Sequence, residues 1–157
     1  MTITPTKEVT LGWGPKSKKI QVKYLTDITK LYKSDEGDWI DLRAATDVFM
    51  MAGQYFEIGL GVSIKLPEGY EAIIAPRSST FKRHGVLMAG SIGVIDERYC
   101  GPNDEWKFPA YATRDTVIPK DARICQFRIL RHQPELEFEE IEEMLDDDRG
   151  GLGSSGV

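Results

Sequence analysis

An all-β sandwich or barrel is the fold class this sequence predicts, on three observations. Short runs rich in β-branched and aromatic residues recur at about ten-residue spacing. Gly and Pro punctuate the intervals between them. Helical periodicity is scarce, so neither a bundle nor an alternating α/β fold suits the pattern.

In chain order, residues 1–18 mix Thr, Pro, Gly and Lys without a period and read as a loose arm. Residues 20–25 (Ile-Gln-Val-Lys-Tyr-Leu) alternate as a strand does. Residues 26–37 form either a short helical turn or a loop. Asp41 then opens a small-residue segment, Asp41-Leu42-Arg43-Ala44-Ala45, where an acid can satisfy nearby backbone donors. Strands follow over 54–58, 61–65 and 70–75, the last two joined by a β-turn at Leu66-Pro67-Glu68-Gly69. Pro76 stops the third strand, and Ser78 and Ser79 are placed to cap a short helix that Gly85 ends. Gly93-Val94-Ile95 reads as a strand running into a tight hairpin bend that presents Asp96 and Tyr99 together. Strands over 106–113, 116–118 and 123–130 complete the count.

Composition narrows the function classes. A chain of 157 residues is expected to form a single domain around one core. With 41% hydrophobic and 29% charged residues it reads as an ordinary soluble globular protein. No apolar run approaches the ~20 residues of a membrane span, and residues 1–15 lack the apolar centre of a signal peptide. Neither a membrane nor a secretory route is expected, so the cytoplasm is the expected location, that of a host if the chain is viral. Cys100 and Cys125 are expected to stay reduced. With two His beside them, a zinc or iron site is not credible. A net charge of −5 argues against a general nucleic-acid binder. The acid is concentrated, however: residues 135–148 hold nine acidic and no basic side chains, leaving the remainder net positive and suited to a small phosphate ester.

Several segments carry chemistry. A stiffly held Asp96 at a strand end can act as a general base toward water. Arg77 ahead of the two serines makes an anion site. Arg123 and Gln126 are three apart, which puts them on opposite faces of an ideal strand; both serve one site only if the strand bends or Arg123 lies outside it. The tail from Arg149 to residue 156 is glycine-rich, cannot build a core, and offers amides and hydroxyls that can wrap a phosphate.

Taken in order, Asp41-Leu42-Arg43-Ala44, Pro76-Arg77-Ser78-Ser79, Gly93-Val94-Ile95-Asp96 with Tyr99 and Gly101, Arg123-Ile124-Cys125-Gln126, and the stretch from Arg149 through Gly156 resemble the five motifs of trimeric dUTPases. The resemblance spans residues 20–157. It implies a distorted, β-clip-like jelly-roll with a mobile C-terminal lid over 148–157, and a homotrimer whose active sites borrow motifs from more than one subunit. It also implies cleavage of dUTP between the α and β phosphates, giving dUMP for thymidylate synthesis and pyrophosphate, with Mg2+ on the triphosphate.

By the same resemblance, Asp96 activates the attacking water, Gln126 partners that water and Arg123 braces the network. Asp41 helps to hold magnesium's water shell without ligating the ion. Arg77, Ser78 and Ser79 hold phosphates. Backbone groups of Gly93, Val94 and Ile95 and of the return arm Asn103-Asp104-Glu105 read uracil, while the Tyr99 ring excludes a 2′-hydroxyl. Arg149, Leu152, Gly153, Ser154 and Ser155 close over the substrate. Leu152 stands where the family has a Phe, so it covers less area and cannot stack. Two other readings share this scaffold: a dCTP deaminase relative and a non-catalytic dUTP-binding regulator.

Overall fold

The computed structural model describes residues 17–151. Among these lie eleven strands and one short helix: β1 (Gln21–Tyr24), β2 (Ile40–Arg43), β3 (Val48–Met50), β4 (Tyr55–Gly59), β5 (Val62–Lys65), β6 (Tyr70–Pro76), α1 (Thr80–His84), β7 (Val86–Met88), β8 (Gly93–Ile95), β9 (Lys107–Ala112), β10 (Thr116–Ile118) and β11 (Arg123–Arg131). Every ladder is antiparallel: β2-β11-β6-β8, β4-β9-β7, and the pairs β1-β5 and β3-β10. This is the mainly β architecture that the sequence predicts.

The core is the inward face of these sheets. Alternation on β9 sends Phe108, Ala110 and Ala112 inward, and β5 buries Val62 and Ile64. Trp106 and Phe127 are buried between the sheets and meet edge to face, with ring centres 5.1 Å apart.

Three strands have no counterpart in the sequence reading. β3 and β7 are each three residues long. In β2 the apolar members are Ile40 and Leu42, and the interleaved Asp41 and Arg43 look like turn chemistry. Residues 26–37 are loop, with no helical turn. The short helix exists, but its capping differs from expectation. Ser79 occupies the N-cap position without a side-chain cap bond. Thr80 supplies the local hydroxyl instead, accepting the Arg77 N–H at 3.0 Å and donating to the Ile124 carbonyl at 2.7 Å. Gly85 ends the helix at φ 62°, and a Cβ there would lie 2.7 Å from the Arg114 side chain.

Cys100 and Cys125 are both free. Cys125 is buried on β11, and burial, with the Asp41 carboxylate adding to it, pushes its thiol well above the usual range. No helix among the described residues is long and apolar enough to cross a membrane. The acidic segment 135–148 is exposed and without helix or strand.

Candidate active site

The residues singled out by sequence fall into two groups at two places on one sheet. The first group is built on β2, β11 and the end of β6. Asp41 and Gln126 are directly paired across β2 and β11, and Gln126 also faces Ala75 on β6. Arg77 leaves the end of β6 and places Nε 2.7 Å from Asp41 Oδ1, while Arg123 places a guanidinium nitrogen 3.2 Å from Asp41 Oδ2. Gln126 donates its amide to the Pro76 carbonyl at 3.2 Å. An Arg77 guanidinium nitrogen also lies 3.4 Å from the Ser79 hydroxyl. One half-buried carboxylate is therefore clasped by two guanidiniums, and both guanidiniums keep donors free for phosphate oxygens.

A β-bulge resolves the spacing of Arg123 and Gln126. The register with β2 runs Arg123↔Arg43 and then Cys125↔Leu42, so two residues of β11 oppose one step on β2. The parity of the strand changes at Ile124, and Ile124 and Cys125 are both fully buried in succession. Arg123 then reaches Asp41 from the same side as Gln126.

The second group is the bend after β8. Asp96 follows the last ladder pair, Ile95↔Ala72. Its carbonyl accepts the Tyr99 N–H at 3.0 Å, and its Oδ1 accepts the Arg98 N–H at 2.7 Å. The Tyr99 hydroxyl donates to the Glu105 carbonyl at 3.0 Å, fixing the ring against the return arm. The two arms do not form a hairpin ladder: β8 pairs with β6 alone, and the chain returns to β9 in another sheet. Between the arms lies a cleft of about 330 Å³ lined by Val94, Ile95, Asp96, Tyr99, Glu105 and Lys107, at the low end of small-molecule sites. The acids of the return arm are turned to the chain. Asp104 accepts the Gly101 N–H at 2.6 Å and Glu105 accepts the Gly61 N–H at 2.9 Å. A Cβ on Gly101 would sit 2.8 Å from Asp104 Oδ2, so a side chain there would displace the carboxylate that accepts the Gly101 N–H.

The two groups do not meet within the chain. Asp96 lies level with Glu71, four residues from the Ala75 level of Gln126 and Asp41, two strand positions from Gln126 and three from Asp41. At strand spacings that puts Asp96 about 16 Å from Gln126 and about 19 Å from Asp41, backbone to backbone. Of the remaining candidates, Ser78 lies between β6 and α1 and Arg149 is exposed outside any element. Leu152, Gly153, Ser154 and Ser155 lie outside the described residues. Thr80, which ties the Arg77 segment to the bulged start of β11, was missed by sequence reasoning. Beside Ser78 and Ser79, a third hydroxyl residue carries no distinguishing signal.

A mainly β frame that holds a carboxylate–guanidinium cluster and a separate acid–tyrosine bend is suited to an anionic ligand, and comparison with known proteins supplies the class: a hydrolase of nucleotide metabolism. A sequence model of the dUTPase family matches residues 24–156. The chain is 52% identical over 140 residues, 88% of its length and 99% of the relative's, to the SPbeta prophage-derived deoxyuridine 5'-triphosphate nucleotidohydrolase YosS of Bacillus subtilis (strain 168). It is 35% identical over 131 residues, 80% of this chain and 89% of the relative, to the deoxyuridine 5'-triphosphate nucleotidohydrolase of Finegoldia magna. Among solved structures, a mutant dUTPase of Staphylococcus bacteriophage 80alpha with dUpNHpp superposes with a TM-score of 0.71 at 19% identity, covering 90% of this chain and all of that one. A mutant dUTPase from phage phi11 of S. aureus, described with a structural Mg(II) ion, gives 0.69 at 16% identity over 80% of this chain and 97% of that one. The chain belongs to the dUTPase family of hydrolases.

Proposed function

We propose that this dUTPase cleaves dUTP between the α and β phosphates by attack of a water on the α-phosphate, in an active site assembled from more than one copy of the chain. The observation that carries the reading is the separation of Asp96 from the Asp41 cluster, about 16 Å to Gln126 and about 19 Å to Asp41. No side chain spans that gap, so one copy supplies the cleft for uracil and deoxyribose with Asp96 at its edge. A second copy supplies Arg77, Ser78, Ser79, Arg123 and Gln126 to the phosphates and the water. A closed ring of three satisfies this head-to-tail arrangement. Arg149, Ser154 and Ser155 close over the γ-phosphate, and Leu152 stands over the uracil.

In this reading Asp96 removes the water's proton, Gln126 orients that water and the guanidiniums neutralise the charge developing on phosphorus substituents. Asp41, with its two oxygens already held by Arg77 and Arg123, fits a hard cation that keeps its own waters and takes phosphate oxygens as ligands. Bound Mg2+ would neutralise the triphosphate and orient it. The product dUMP enters thymidylate synthesis. Backbone groups of Gly93, Val94, Ile95 and Asp104 read the base.

The test is complementation. Asp96→Asn and Arg77→Ala chains, each assayed alone for pyrophosphate release from dUTP with Mg2+, are expected to be nearly inactive. Co-expressed in equal amounts, they should recover about a quarter of wild-type activity, the share of composite sites holding both residues. No recovery in mixed assemblies would place the whole site in one chain.

Tyr99 gives a second prediction. Its ring is pinned through its N–H and its hydroxyl, a rigid floor for a deoxyribose. Tyr99→Ala should reduce the preference for dUTP over UTP by at least about tenfold in kcat/KM. Unchanged discrimination would remove the steric role.

A further inference from the structure

β8 is a three-residue edge strand, paired on one side only, and Asp96 is the first residue beyond its ladder. Among the described residues, the bonds that Asp96 itself makes, to Arg98 and Tyr99, are internal to the bend. The far end of the bend is fastened from outside: the Ser63 hydroxyl donates to the Gly101 carbonyl at 2.5 Å and Lys23 Nζ donates to the Pro102 carbonyl at 3.0 Å. Among the described residues the near end, where Asp96 sits, has one external fastening beyond the β8 ladder, and Glu97 provides it. Glu97 Oε2 accepts the Gly69 N–H at 3.1 Å and lies 3.5 Å from His132 Nε2. The His132 N–H donates to the Gly69 carbonyl at 3.0 Å.

Gly69, at φ 78° in the turn before β6, is thus held on both its backbone groups. Three elements converge on it: the start of β6, the end of β11 and the residue after Asp96. We propose that Glu97 and His132 are positioning residues for Asp96, clamping the near end of the bend to the Gly69 turn so that the Asp96 carboxylate keeps a fixed place relative to the substrate cleft. Asp96 borders both the substrate cleft and, with Glu97, Arg98 and His132, a basin of about 840 Å³ beside the Gly69 turn, so the clamp stands next to the carboxylate it holds. The proposal rests on the reading of Asp96 as the base toward water.

Asp96 acts in the transition state, whereas Val94, Ile95 and Tyr99 form the walls that bind the nucleoside, so loosening the clamp separates kcat from KM. Glu97→Ala should lower kcat for dUTP about tenfold, the scale of a sub-ångström misplacement, with KM changed less than about twofold. Glu97→Gln keeps a carbonyl oxygen for the Gly69 N–H and should restore most of that loss. His132→Ala should cost about threefold, and the double variant Glu97→Ala/His132→Ala should be no worse than Glu97→Ala alone, because both act through one turn.

The measurement is steady-state hydrolysis of dUTP by the full chain, with Asp96→Asn alongside. Unchanged kcat in Glu97→Ala, or a Glu97→Gln variant as slow as Glu97→Ala, overturns the clamp. If Glu97→Ala does not fold, Glu97→Gln with near-wild-type kcat and His132→Ala with reduced kcat at unchanged KM support it, and a His132→Ala variant of full activity overturns it. If Asp96→Asn retains full activity, the assignment of the base falls instead, independently of what Glu97 does.

Discussion

Asp96→Asn is expected to lower kcat for dUTP by about 10²–10⁴-fold, the usual contribution of a positioned general base. Asn is nearly isosteric, so its side-chain oxygen can still accept the Arg98 N–H that Asp96 accepts at 2.7 Å. The bend and the cleft beside it therefore stay intact, and nucleotide affinity should change less than about threefold. The loss is confined to proton removal, because the amide has no basic oxygen to offer the water. Stopped-flow or steady-state pyrophosphate release measures the first quantity, and titration with a non-hydrolysable dUTP analogue measures the second. An Asp96→Asn chain that turns over at the wild-type rate would assign the base elsewhere.

The second large effect is on stability. Trp106→Ala should destabilise the fold by about 3–5 kcal/mol, the cost of truncating a large buried aromatic. For a chain of this length that corresponds to a fall in Tm of roughly 6–20 °C. Trp106 is fully buried and packs edge to face on Phe127. Its backbone is equally committed, donating to the Val62 carbonyl at 2.9 Å and accepting the Leu60 N–H at 2.9 Å. The indole N–H, by contrast, is buried without a protein acceptor among the described residues. Trp106→Phe should accordingly cost much less than Trp106→Ala, since it removes an unpaired donor together with the lost volume. Thermal melting at one fixed protein concentration separates the three chains, concentration being held because the proposed assembly would shift Tm. Trp106 also follows directly on Glu105, whose carbonyl receives the Tyr99 hydroxyl. Loss of the indole should therefore weaken selectivity for deoxyribose before the whole fold melts.

Much of this architecture was legible because local chemistry and the fold agree. The strand at Thr116–Ile118 falls where it is read from sequence, and the one helix ends at the glycine expected to end it. The candidate residues were legible because their types are unusual where they occur: an acid at the end of Val94-Ile95, an Arg between a Pro and two serines. What sequence could not show were relations across the sheet. Ile40-Asp41-Leu42-Arg43 does alternate, but over only four residues and beside small residues that suggest a turn, and its polar half is drawn to Arg77, Arg123 and Asp121, all remote in the chain. The bulge at Ile124 depends on how β11 lies against β2, and no single-strand pattern encodes a mismatch between two. Capping was misassigned because three hydroxyl residues stand in a row, and only the Ile124 carbonyl selects Thr80.

β11 belongs to two ladders at once, and only one of them carries the irregularity. Against β6 it runs unbroken through seven pairs from Cys125↔Pro76 to Arg131↔Tyr70, while the shift lies wholly on the β2 side. The strand thus joins a conservative seam, which keeps the sheet together, to an adjustable one, which aims Arg123 at Asp41. Drift along the β6 seam can be absorbed by repacking without re-aiming the guanidinium. A single inserted or deleted residue near Ile124 would leave the long seam paired and turn Arg123 away, giving a protein that folds and does not work. Length variation at this point of the chain is therefore filtered by selection on activity rather than on folding.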